Sequence, residues 1–149
     1  MNKIVIASNN QHKINEFNKI LGREDVKFIS QSELNITEAA ETGLTFVENA
    51  ILKARNACLF SGIPSIADDS GIEVAALNGD PGIYTARWAG PERDFMLAMS
   101  RVNEAMGDAP DRRANFTAVL ALCWPDGHCE TFEGKVFGTL VWPTRGDQG

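Results

Sequence analysis

The first thirty residues change hydrophobic period twice, and that alternation constrains the fold more than any other feature of the chain. Ile4-Val5-Ile6-Ala7 is an unbroken apolar run closed by the turn formers Ser8-Asn9-Asn10, the pattern of a strand covered on both faces. From His12 the spacing turns helical, with Ile14, Phe17, Ile20 and Leu21 recurring as far as Gly22. Val26-Lys27-Phe28-Ile29 then reads as a second strand. Strand, helix, strand in that order predicts a right-handed crossover and a parallel pair.

The remaining segments extend the same architecture. Residues Glu33 to Gly43 are polar and read as loop. A long helix follows from about Thr45 to Ser61, with Phe46, Ala50, Ala54, Ala57 and Cys58 on one stripe and a capping-box spacing at Thr45-Phe46-Val47-Glu48. Ser65-Ile66-Ala67 is a short buried strand that delivers the chain into Asp68-Asp69-Ser70-Gly71, and Glu73 to Leu77 reads as a further strand before the turn Asn78-Gly79-Asp80-Pro81-Gly82. Arg93 to Met106 has helical spacing. Phe116 to Cys123 and Cys129 to Val141 form two long strands around Pro125-Asp126-Gly127, an antiparallel hairpin. The expected fold is α/β, a mixed sheet with parallel β-α-β units flanked by helices and a long antiparallel hairpin. At 149 residues the expectation is a single domain over 1–149.

Charge narrows the function classes. Lys and Arg number 14 against 20 Asp and Glu, a formal charge of -6, which repels a polyanion and argues against polymeric nucleic acid as a partner. A small anion escorted by a metal remains compatible. Cys58, Cys123 and Cys129 are an odd set without a CxxC, so no disulfide framework is expected and a reducing compartment is. The first apolar run is too short for a signal peptide, and no segment has the ~20 apolar residues of a membrane span. The expected location is the cytoplasm.

Three places carry chemical potential, each with a plainer alternative. Ser8 to Lys13 joins a strand end to a helix start, where backbone N–H groups and the Lys13 ammonium suit a polyphosphate; an ordinary capped loop also fits. Asp68 and Asp69 follow a buried strand, and holding both ionised there needs a cation, hydrogen-bond donors or bulk water, with Mg²⁺ the natural compensator. In a regular strand the two would point to opposite faces, so serving one site requires a bend at the pair, which Gly71 permits; turn chemistry fits as well. Glu38, Glu41 and Thr42-Gly43 precede the long helix, whose Glu48, Asn49 and Lys53 form either part of a site or a solvated face. Arg87 and Trp88 suit a phosphate and a base, or a turn and a core. Cys123, His128 and Cys129 fit no zinc pattern.

Taken together, the ordered blocks Ile6-Ala7-Ser8-Asn9-Asn10 with Lys13 and Glu16, Glu41 to Ala50 with Lys53-Ala54, Ala67-Asp68-Asp69-Ser70-Gly71 and Pro81 to Arg87 resemble the inosine triphosphate pyrophosphatase family, the Ham1-like enzymes acting on non-canonical purine nucleotides. The resemblance implies Mg²⁺-dependent hydrolysis of ITP, dITP and XTP to the monophosphate and pyrophosphate, in a homodimer. It implies that Ser8, Asn9, Asn10 and Lys13 grip the triphosphate with Lys53 as a second cationic contact and Ser70 as a further one, that Glu41, Asp68 and Asp69 surround the metal, and that Asp69 is the general base. The Maf-like nucleotide pyrophosphatases share the architecture and the reaction. Members normally continue with a Phe-Gly-Tyr-Asp block and a later Ser-His-Arg block, whereas this sequence ends in Gly146-Asp147-Gln148-Gly149. The resemblance therefore implies a C-terminally incomplete domain with weakened turnover, or a nucleotide-binding module without it, and exposed apolar surface.

Overall fold

The computed structural model describes residues 2–23 and 25–143; the terminal Gly146 to Gly149 lie outside the described residues. Strands β1 (Asn2–Ile6), β2 (Val26–Ser30), β3 (Ser65–Val74), β4 (Arg113–Cys123) and β5 (Cys129–Thr139) form one sheet in the order β2-β1-β3-β4-β5. The helices are α1 (Gln11–Leu21), α2 (Phe46–Ser61), the one-turn α3 (Thr85–Trp88) and α4 (Phe95–Met106). β1 pairs in parallel with β2, Ile4 against Phe28, and in parallel with β3, Ile6 against Ile66, as the β-α-β order predicts. By its contacts the chain forms two compact units, Met1–Asp69 with Val119–Phe132 and Ser70–Ala118 with Glu133–Gly149.

The first unit is built around β1, whose consecutive Val5 and Ile6 are both buried, so both faces of the strand are covered. On one face Ile6, Phe28 and Ile66 meet Ile14 of α1, with Phe17 tilted against Phe28 at 5.9 Å between ring centroids. α2 packs against β1 through the fully buried Ala50, Ala54 and Ala57, whose small side chains let the helix approach closely. Thr45 caps α2 by accepting from the Glu48 amide at 3.1 Å, and Glu48 accepts in return from the Leu44 amide at 2.8 Å. The predicted capping box thus forms with its return bond one residue earlier than the standard pattern. Gly62 ends the helix at φ 69, the left-handed conformation that favours glycine.

Two expectations need correction in this part of the chain. The first concerns β3, which runs unbroken through Asp68, Asp69, Ser70 and Gly71 to Val74, where the sequence predicts two strands separated by a bend. Turn-forming residue types lose here to sheet pairing, because β3 lies between β1 and β4 in the sheet order. The second concerns the cysteines: Cys123 and Cys129 are joined in a disulfide, and only Cys58 is free and buried. The Trp124 amide donates to the His128 carbonyl at 2.8 Å, so the next pair outward places Cys123 and Cys129 directly opposite, Cα atoms 4.3 Å apart. Their equal distance from the turn residues is the signal that the odd cysteine count obscures.

The second unit has its own apolar cluster of Val74, Val102, Met106 and Ala114, with Trp88 and Leu140 against it. Beside it Glu73 accepts from the Thr117 hydroxyl at 2.6 Å and the Asn115 amide at 2.9 Å. Along β5 every residue after Cys129 is exposed, Phe132, Val136 and Phe137 included. Among the described residues no helix is long and apolar enough to cross a membrane.

Candidate active site

The β1 end and the α1 start are shaped by local polar bonds. Ser8 Oγ accepts from the Asn10 amide at 3.0 Å, and Asn10 caps α1 by accepting from the His12 and Lys13 amides at 3.1 and 3.4 Å. Asn9 accepts from the buried Gln31 side chain at 3.3 Å. The His12 and Lys13 amides therefore already have a partner, and the full positive charge at this helix start comes from Lys13. Its Nζ lies 2.8 Å from Asp68 Oδ1, a half-buried ion pair. β1 and β3 pair as far as Ile6 and Ile66, two residues before Ser8 and Asp68.

Asp69 faces the other way. In an unbent strand neighbouring side chains alternate, and here Asp68 meets Lys13 of α1 while Asp69 turns toward Lys53 of α2. Lys53 is the hub: its Nζ donates to the Asp68 carbonyl at 2.6 Å, lies 3.0 Å from Glu41 Oε1 and 3.9 Å from Asp69 Oδ1. Glu41 and Asp69 are thus brought together around one ammonium, whereas Asp68 joins that group through its backbone carbonyl and turns its carboxylate to Lys13. Ser70, next along β3, is half-buried.

The Asp69 carboxyl is largely enclosed, and its Oδ2 is buried with no hydrogen-bond partner. Burial pushes its pKa up to about 6, with Glu41 and Asp68 adding to the rise and Lys53 and the Asn49 side chain opposing it. A carboxyl poised there is ionised at neutral pH yet a usable proton acceptor. The orphaned oxygen, with Glu41 beside it, is a hard-oxygen donor set that suits Mg²⁺. Among the described residues no three acidic, His or Cys side chains converge to hold a cation by themselves. Mg²⁺ habitually takes one or two carboxylates and completes its shell with water and phosphate oxygens, which matches what Glu41 and Asp69 offer.

Asn49 is the residue whose role the sequence understates. The four-residue spacing to Lys53 reads as a solvated face, but Asn49 is 2% exposed and its Oδ1 accepts from the Gly43 amide at 2.8 Å. The remaining candidates take the plainer reading. Arg87 lies over the Tyr84 ring at 4.8 Å and Trp88 packs on the second unit's core. The disulfide occupies both cysteines near His128, which instead meets Glu130 at 3.2 Å. A groove of about 950 Å³ bordered by Leu52, Arg55, Leu59 and Trp124 lies in the same unit, but its lining excludes Glu41, Lys53, Asp68 and Asp69, so it holds none of this chemistry.

Known proteins resemble the chain along nearly all of its own length. The chain is 50% identical to a dITP/XTP pyrophosphatase of Gluconobacter oxydans over 99% of its own length and 71% of the relative's, and 52% identical to one of Rhodospirillum centenum, covering 98% and 73%. Among solved structures it superposes on a Ham1 protein of Staphylococcus aureus with a TM-score of 0.90 at 43% identity, covering 99% of this chain and 76% of that one. A HAM1 protein of Coxiella burnetii gives 0.91 at 39% identity over 100% and 78%. With a family model matching residues 4–149 as well, the strand-end asparagines, the two lysines and the buried aspartate sit in a chain that belongs to the Ham1 family.

Proposed function

We propose that this chain hydrolyses non-canonical purine nucleoside triphosphates, dITP, XTP and ITP, to the monophosphate and pyrophosphate, with Mg²⁺ as cofactor. The observation that carries the reading is Asp69: an enclosed carboxyl with one unpartnered oxygen, beside Glu41 and Lys53, in a chain about half identical to proteins named dITP/XTP pyrophosphatase.

In this reading Ser8, Asn9 and Asn10 contact the triphosphate, and Lys13 turns from Asp68 to the phosphates. Lys53 is the second cation, and Ser70, next to Asp69, is a further substrate contact. Attack at the α-phosphorus needs a positioned water, an acceptor for its proton and neutralisation of the departing charge. The Asp69 carboxylate accepts the proton as the water oxygen bonds to phosphorus. The α–β anhydride bond breaks with its electron pair leaving on pyrophosphate, whose charge the lysines offset. Glu41 and Asp69 would hold Mg²⁺, with Asp68 contributing charge from the neighbouring face; bound there, the ion would supply Lewis-acid charge stabilisation worth several kcal/mol.

The same reading places the protein in the cytoplasm, where the nucleotide pool lies. It also makes the protein a homodimer, for which the exposed apolar row on β5 gives a reason. Incubation with dITP, XTP, ITP and GTP plus Mg²⁺ tests the activity: pyrophosphate is expected, with GTP strongly disfavoured. Orthophosphate as product, or equal turnover of GTP, overturns it. Binding without product identifies a nucleotide-binding module instead, and a preference for pyrimidine or methylated nucleotides points to Maf-like chemistry. Sedimentation tests the dimer.

A further inference from the structure

The segment that carries Glu41 has little secondary structure of its own, and its place is set by side chains from α2. Asn56 Nδ2 donates to the Thr37 carbonyl at 3.0 Å, Asn49 Oδ1 accepts from the Gly43 amide at 2.8 Å, and Glu48 Oε2 accepts from the Leu44 amide at 2.8 Å. Two of these, at Thr37 and Leu44, are solvent-exposed. The Asn49 bond differs in being partly buried, with Asn49 itself 2% exposed, and it falls two residues after Glu41. Gly43 has no room for a side chain: a Cβ there would meet Asn49 Oδ1 at 2.7 Å and Glu48 Cβ at 2.7 Å. The contact is therefore close enough to dictate glycine at that position. The Asn49 side chain also neighbours the Asp69 carboxyl, where it opposes the rise that burial causes.

We infer that Asn49 is a positioning residue: one buried amide clasps the Gly43 backbone on one side and neighbours Asp69 on the other, fixing where Glu41 stands relative to Asp69. This inference rests on the proposed reaction, because the Glu41–Asp69 separation matters only if both serve one ion. A carboxylate loop freed by even about 1 Å loses the alignment from which positioned catalysis gains up to about 100-fold. Partners that orient metal ligands typically govern about 10- to 100-fold in metal affinity or activity. Lys53, four residues along α2, supplies the charge within the same cluster, while Asn49 supplies the fixed distance.

The experiment compares wild type, Asn49→Ala and Asn49→Asp by three readouts: exchange of the Gly43 amide proton followed by NMR, Mg²⁺ affinity by calorimetry, and kcat and KM on dITP. Asn49→Ala is expected to expose the Gly43 amide to exchange, weaken Mg²⁺ binding about tenfold or more, and lower kcat by a similar factor with KM little changed. Asn49→Asp keeps an acceptor for Gly43, so the amide stays protected, yet kcat falls because a carboxyl replaces the neutral amide near Asp69. Should Asn49→Ala fail to fold, the Asn49→Asp pattern decides alone. Wild-type Mg²⁺ affinity and kcat in either folded variant, or a Gly43 amide that exchanges freely in wild type, overturns the inference. A wild type that releases no pyrophosphate while the Mg²⁺ affinity still drops in the variants sinks the proposed reaction and leaves the clasp standing.

Discussion

At Asp69, burial outweighs the attraction of Lys53, and the carboxyl titrates at about 6 where an unfolded chain has it at 3.8. Between those values the folded protein holds a proton that the unfolded chain has released. Stability therefore falls as pH rises from about 4 to 6, and above 6 the full cost, about 3 kcal/mol at about 1.4 kcal/mol per unit, is present. Asp69→Asn removes it. In metal-free buffer at pH 8 this variant is expected to melt several degrees above wild type, the gain vanishing by pH 4, while pyrophosphate release is lost. A melting temperature at or below wild type at pH 8, measured by calorimetry, contradicts the account of what burial does here. That the pair follows the buried Ser65-Ile66-Ala67 is visible in the sequence, but the titration of Asp69 depends on neighbours from α2 and the Glu41 loop, distant in sequence.

Elements whose ends are set by local chemistry were legible in the sequence, and those set by distant partners were not. The start of α2 is written in Thr45-Phe46-Val47-Glu48, and the bond from the Glu48 amide to Thr45 Oγ1 realises it. Thr45→Ala is expected to cost about 1 kcal/mol, measured by urea unfolding, and more than about 2 would mean Thr45 also supports something beyond the cap. The hairpin was legible from its turn, and α1 from its period. β3 was not, because Asp-Asp-Ser-Gly has the composition of a turn and becomes strand only when sheet neighbours satisfy its backbone. Asn49 hid for a similar reason: helical spacing gives its face but not what lies against that face. On β3 and β4, Thr117 is 2% exposed and donates to Glu73, which holds that carboxyl below its usual range. Thr117→Val keeps the shape and removes the donor, so a loss of about 1–3 kcal/mol is expected at pH 7. A depressed carboxyl stabilises above its unfolded value of 4.5 and loses that contribution as pH falls through the folded one. The penalty should therefore shrink in acid; a penalty constant from pH 7 to 3 would assign it to packing.

For the molecule as a whole, the net charge of -6 and the apolar row on β5 act in opposite directions on self-association. Net charge keeps copies apart, while a strand whose Val136 and Phe137 are 72% and 75% exposed invites another surface to cover them. Glu130, Glu133 and Lys135 interrupt the row, the usual defence of an open strand. Phe137→Glu strengthens that defence and carries the formal charge from -6 to -7. If Phe137 meets only solvent in a lone chain, the substitution changes unfolding free energy by no more than about 0.5 kcal/mol, since exposed positions contribute little. A second copy covering β5 changes the outcome, because a buried unpaired carboxylate is expensive and is avoided by dissociation. Sedimentation across a concentration series separates the two: on the homodimer reading Phe137→Glu dissociates at concentrations where wild type remains paired, with the monomer's stability unchanged. A variant that sediments like wild type moves the dimer contact off this strand face.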